Sequence, residues 1–215
     1  IALIMLAVGS LGATAHAGNV FVSGHDSDFH ASLGPNPSGA QHVIQQSVGF
    51  ARNGSSLPFL FLQSNTNNVP LGDHTDSEAG LIASGFVAGT DYIKMDAATF
   101  AGTPLLPTTF SAIFVPSDHG GTLTGDDLQV LDSRAADILT FINAGGGLVA
   151  FAEDGFHTPP ASGPAPVLFG FLPFLVSSTA FSEAENGNTV TPFGTSLGLT
   201  SGDITEGQAA ALAMA

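Results

Sequence analysis

The sequence predicts an α/β fold with a mostly parallel sheet covered by helices on both faces. Short apolar runs alternate with segments of helical period, as strand–helix–strand units do. The apolar runs are continuous and not alternating, which suits strands buried on both faces. The chain has 215 residues and no cysteine, so its core must be large enough to hold without disulfides, and at this length it is.

The elements follow in order. Asn19–Ser23 (NVFVS) is a first strand. Ser38–Asn53 is a helix, with Ser38 as its cap and Val43, Ile44, Val48 and Ala51 on one face. Leu57–Gln63 (LPFLFLQ) is a second strand. Ser77–Phe86 is a short helix carrying Leu81 and Ile82, Tyr92–Met95 a third strand and Ser111–Pro116 a fourth. Thr124 and Asp127 then open the clearest helix with a capping-box pattern. Leu128, Leu131, Ala135, Ile138, Leu139 and Ile142 follow at helical spacing, and Gly145–Gly147 ends it. Leu148–Ala152 is a fifth strand. Thr158–Pro166 is rich in proline and glycine and reads as a loop, with further strands at Phe169–Ser177 and Thr189–Pro192.

Residues 1–17 (IALIMLAVGSLGATAHA) are apolar, uncharged and end in Ala15-His16-Ala17. This is the pattern of a secretory signal with its cleavage site. The expected organisation is a signal peptide over 1–17 and one domain over 18–215, cut short at its C-terminus. The expected location is periplasmic, cell-surface or extracellular. No later apolar run is long enough to span a membrane.

Three lysines and arginines, Arg52, Lys94 and Arg134, face 18 acidic residues, for a net charge of −15. Such a surface repels nucleic acid. The partners it admits are neutral molecules, such as glycans, and divalent cations.

SAIFVPSDHGG, a helix and then INAGGGLVAFAEDG resemble the central part of class I glutamine amidotransferase-like domains. In that family a strand enters a nucleophile elbow of form Gly-x-Cys-x-Gly. The matching residues here are Phe151-Ala152-Glu153-Asp154-Gly155, with Glu153 at the nucleophile position. The mature chain also resembles exported bacterial proteins that carry this domain before a C-terminal sorting and anchoring signal of the PEP-CTERM type, through VFVSGHDSDFHA, GFLPF and TPFGTSLGLT. The resemblance implies a flavodoxin-like open sheet and anchoring by a segment beyond residue 215. It does not bring glutamine hydrolysis, which needs a cysteine thiolate.

Open parallel sheets bind ligands at the carboxyl ends of their strands. After the first strand come His25, Asp26, Asp28 and His30, whose imidazoles and carboxylates suit a divalent metal. In an extended loop His25 and Asp28 point apart, so a turn is needed to bring them together. After the fourth strand come Asp118, His119, Gly120 and Gly121, an acid–base pair beside glycines that let a ligand approach the backbone. After the fifth come Glu153, Asp154 and His157. Four of the six histidines past residue 17 thus follow strands one, four and five, which are expected to be central neighbours. His42 and His74 are read as surface residues. Three functions stay open: a binding domain for a neutral glycan or cation, a metal-assisted hydrolase with Glu153 or His119 as base, and a structural surface protein.

Overall fold

The structure, a computed structural model, describes residues 17–64, 77–117, 123–151, 160–176 and 188–205. Five strands form one all-parallel sheet: β1 (Val20–Val22), β2 (Phe59–Leu62), β3 (Tyr92–Met95), β4 (Ala112–Val115) and β5 (Gly147–Ala150). Their order is β1-β5-β4-β2-β3. Counted from β2, this is the flavodoxin order 2-1-3-4-5, with β1 in the place of the last strand. The chain is therefore an α/β protein with a flavodoxin-like open sheet. The expectation that strands one, four and five are neighbours holds, since Val22 pairs with Ala150 and Ala150 with Val115. Among the described residues, however, β1 is an edge strand and not a central one.

Residue alternation along the strands divides the core into two. Phe59, Phe61, Phe114 and Val149 pack against α1 (Ser27–Leu33), α2 (Pro37–Arg52) and α3 (Ser77–Ala83). Leu60, Leu62, Ile113, Val115, Leu148 and Ala150 pack against α4 (Ala97–Gly102), α5 (Gly125–Ser133) and α6 (Ala135–Asn143). The continuous apolar strands follow from this arrangement, because both faces are covered. Phe114 lies at the centre of the first face, with ring centroids 6.0 Å from Phe59, 5.7 Å from Phe61 and 5.1 Å from Phe151.

Several local expectations are corrected. The polar run after β1 is a loop only as far as Asp26, and from Ser27 it is α1. Helix α2 starts at Pro37, capped by Asn36 and not by Ser38; the Asn36 side chain accepts from the Gly39 amide at 3.3 Å. Proline at the first helical position needs no amide there. The long helix after Thr124 is two helices that meet at Arg134, whose backbone leaves the helical region (φ −104°, ψ 12°). The Arg134 guanidinium donates to the Phe100 carbonyl and lies 5.0 Å from that ring, so the break serves to dock α4. Phe169–Val176 forms turns and bends, with Phe169 at φ 56°, and is not a strand. Thr189–Thr191 is irregular and leads into a short helix, α7 (Pro192–Ser196), capped by Thr191. His42 is half-buried and pairs with Asp203 at 3.1 Å. Residues 1–16 of the expected signal peptide and His74 lie outside the described residues.

Candidate metal centre

Strand β1 leads straight into the site. The Ser23 amide still donates to the Ala150 carbonyl at 3.0 Å. The chain then turns, with the His25 amide donating to Ser23 Oγ at 3.1 Å. Asp26 stands at the cap of α1, and its carbonyl accepts from the amides of Phe29 and His30. Its side chain does not cap the helix. It reaches one turn along, where Oδ1 lies 3.1 Å from His30 Nε2. The first turn of the helix brings Asp26 and His30 together, since residues four apart share a helix face, but it does not bring Asp28 to His25.

His25 completes the group. Its ring lies 5.3 Å from that of His30, tilted by 46°. Its Nδ1 is 3.0 Å from the hydroxyl of the buried Ser27. With Nδ1 engaged by Ser27, Nε2 is the His25 ring nitrogen left to serve as a ligand atom. One ligand atom each from His25, Asp26 and His30 lie within 4.8 Å of one another, and among the described residues these three form the group that could hold a metal ion. Metal–ligand bonds of about 2.1 Å set tetrahedral ligands about 3.4 Å apart. The Asp26–His30 separation of 3.1 Å is close to that value.

Two imidazoles and a carboxylate form a donor set for Zn²⁺ or Fe²⁺; Ca²⁺ and Mg²⁺ prefer oxygen alone. Asp26 and His30 are 8% and 6% exposed. A cation held between them would sit largely out of water, where the Asp26 carboxylate attracts it strongly.

Asp28, expected as a fourth ligand, turns away from the group. It is fully buried. Its Oδ2 accepts from the Ser77 hydroxyl and, at 3.1 Å each, from the Ser117 amide and hydroxyl. Among the described residues Oδ1 has no hydrogen-bond partner. Burial pushes the carboxyl above its ordinary pKa, and the nearby Asp26 charge adds to this; the serine hydrogen bonds oppose it. Asp28 thus ties α1 to α3 and to the end of β4. Asp118, His119, Gly120, Gly121, Glu153, Asp154 and His157 lie outside the described residues.

Sequence reasoning missed Ser27 and Ser77 as partners of the site. Reading Asp26 as a helix cap would have exposed the Asp26–His30 spacing, and Ser27 with it. Ser77 is 49 residues from Asp28, and no local pattern marks it. Comparison with known proteins finds no matching family model, no matching curated protein and no matching solved structure.

Proposed function

We propose that this chain is an exported domain that binds a divalent transition-metal ion through His25, Asp26 and His30. The observation that carries this reading is the convergence of their three ligand atoms within 4.8 Å at the carboxyl end of β1. Ligands in parallel sheets are found at that end of the strands. The Ser27 hydroxyl on His25 Nδ1 supports it, since metal-bound histidines usually carry such a partner on the other nitrogen.

Three protein ligands leave a coordination position for water or for an external molecule, the pattern of reactive and not of purely structural zinc sites. The resemblance to glutamine amidotransferase-like domains enters this reading as a fold-level likeness without its chemistry, because the chain lacks cysteine. The hydrolase alternative needs Glu153 or His119 as base, and metal binding does not depend on either.

The test is metal content. The protein is stripped with chelator, dialysed against Zn²⁺ or anaerobic Fe²⁺, and its bound metal measured by mass spectrometry beside His25→Ala and His30→Ala variants. One equivalent in the parent and a loss in both variants, with unchanged circular dichroism, is the expected result. No bound metal, or full occupancy in both variants, refutes the proposal.

A further inference from the structure

A cavity of about 290 Å³ opens beside the metal centre, between the edge of β1, α2 and the segment from Asn188 to Ile204. His25 lines this cavity and also belongs to the metal group. The walls combine the apolar side chains of Phe21, Val43, Val190, Phe193 and Leu199 with the polar Ser23, Asn188, Thr189 and Thr191. Phe193 lines the cavity, with its ring 6.3 Å from Phe21 and 5.2 Å from Phe50, and is 46% exposed.

We infer that this cavity seats the apolar body of a small monocarboxylic acid whose carboxylate takes the open position on the metal beside His25. The inference rests on the metal-binding reading above.

Size, polarity and charge each bear on the ligand. A dry apolar cavity of about 150 Å³ accommodates one benzene, so 290 Å³ takes a single ring with a short chain. The apolar part of the wall, Phe21, Val43, Val190, Phe193 and Leu199, gives a hydrocarbon ring its contact surface. No lysine or arginine lines the cavity. The three in the chain are held elsewhere, Arg52 by Asp91, Lys94 by Glu78 and Arg134 by Asp137. A dication held by Asp26 and two neutral imidazoles keeps one positive charge, and in a poorly solvated site one anionic head group neutralises it.

The experiment uses the Co²⁺-loaded protein, whose visible absorption reports on the coordination sphere, after its metal stoichiometry has been measured. Acetate and 3-phenylpropionate are titrated against it and against Val190→Phe, which fills the cavity, and Phe193→Ala, which removes one wall. Expected is a spectral change with both acids, with phenylpropionate binding at least about tenfold tighter. That preference should shrink to about threefold or less in either variant, with cobalt affinity unchanged. Equal binding of the two acids, or an undiminished preference in both variants, overturns the inference and leaves the metal site standing. Binding of phenylpropionate to the metal-free protein with the same affinity also overturns it. Failure to take up cobalt, together with failure to take up Zn²⁺ and Fe²⁺, removes both readings.

Discussion

Nε2 of His30 lies 3.1 Å from Oδ1 of Asp26, one turn earlier at the cap of α1. Caps usually turn their side chains back onto the first free amides of the helix, but Asp26 makes no such bond. It gives up that stabilisation, worth about 1 kcal/mol, and faces two histidines instead. Such a departure from local preference is expected at functional sites.

Ser27 sets the orientation of His25 through the 3.0 Å contact to Nδ1. Removing groups that orient a ligand commonly weakens metal binding about 10- to 100-fold. Ser27→Ala should therefore still bind one metal, with affinity reduced by about that factor, whereas His30→Ala should lose it. Competition with a chromogenic chelator measures both. Affinity in Ser27→Ala equal to that of the parent would show that the hydroxyl does not orient the ring.

Asp28 is a buried structural hub, and its truncation should be costly. In Asp28→Ala the buried Ser117 amide loses its acceptor, as do the hydroxyls of Ser77 and Ser117. A buried group that loses its acceptor costs about 1–3 kcal/mol, and part of the total is returned because Oδ1 of Asp28, unpartnered among the described residues, goes too. The expected loss in unfolding free energy is about 2–4 kcal/mol in urea, and smaller in Asp28→Asn, which keeps a carbonyl acceptor. Asp28→Ala with the stability of the parent would refute the hub.

The parallel sheet was legible from the sequence because strands buried on both faces leave continuous apolar runs, and Phe59–Leu62 is fully buried. The capping box at Thr124 and Asp127 was legible for the same kind of reason: it is local, and both of its bonds form. Helix α1 was not. It has seven residues with only Ala31 buried among its apolar side chains, so there is no apolar stripe to see. What holds it is the long-range Asp28 network. Of the site, the residue types at 25–30 pointed to metal, but their convergence depends on that unseen helix. The cavity depends on residues about 170 positions beyond β1 and left no trace in local patterns.

Two glycines in helices should respond to alanine in opposite directions. At Gly80 in α3, an added methyl group would run into the Asp28 carbonyl oxygen of α1. The backbones must separate, and Gly80→Ala should lose about 1–3 kcal/mol by overpacking. At Gly49 in α2 the space is open and the residue is exposed. Gly49→Ala should gain about 0.5–1 kcal/mol through helix propensity. Thermal unfolding of the two variants side by side checks both, and a stabilised Gly80→Ala would contradict the close approach of α1 and α3.

Asp127 should give the stability a measurable pH slope. Its buried carboxylate accepts from the Thr124 amide and hydroxyl at 2.8 Å each, and from the Ser64 hydroxyl. Burial raises its pKa; the Ser64 and Thr124 hydrogen bonds oppose the shift, and the neighbouring Asp126 charge adds to it. The net direction is upward, so the folded protein holds this proton more tightly than the unfolded chain, where the pKa is about 3.9. Between those two values the folded state binds more protons. The contribution of Asp127 is therefore fully present below about pH 3.9 and is lost as pH rises through the folded pKa. Asp127→Asn cannot titrate. The unfolding free energy of the parent minus that of the variant should accordingly fall as pH rises from about 4 and level off once the carboxylate is ionised in both states. Urea unfolding of both proteins across that range measures the difference. A difference that instead grows with pH would mean that the three hydrogen bonds outweigh burial and that the carboxylate is held ionised in the folded state.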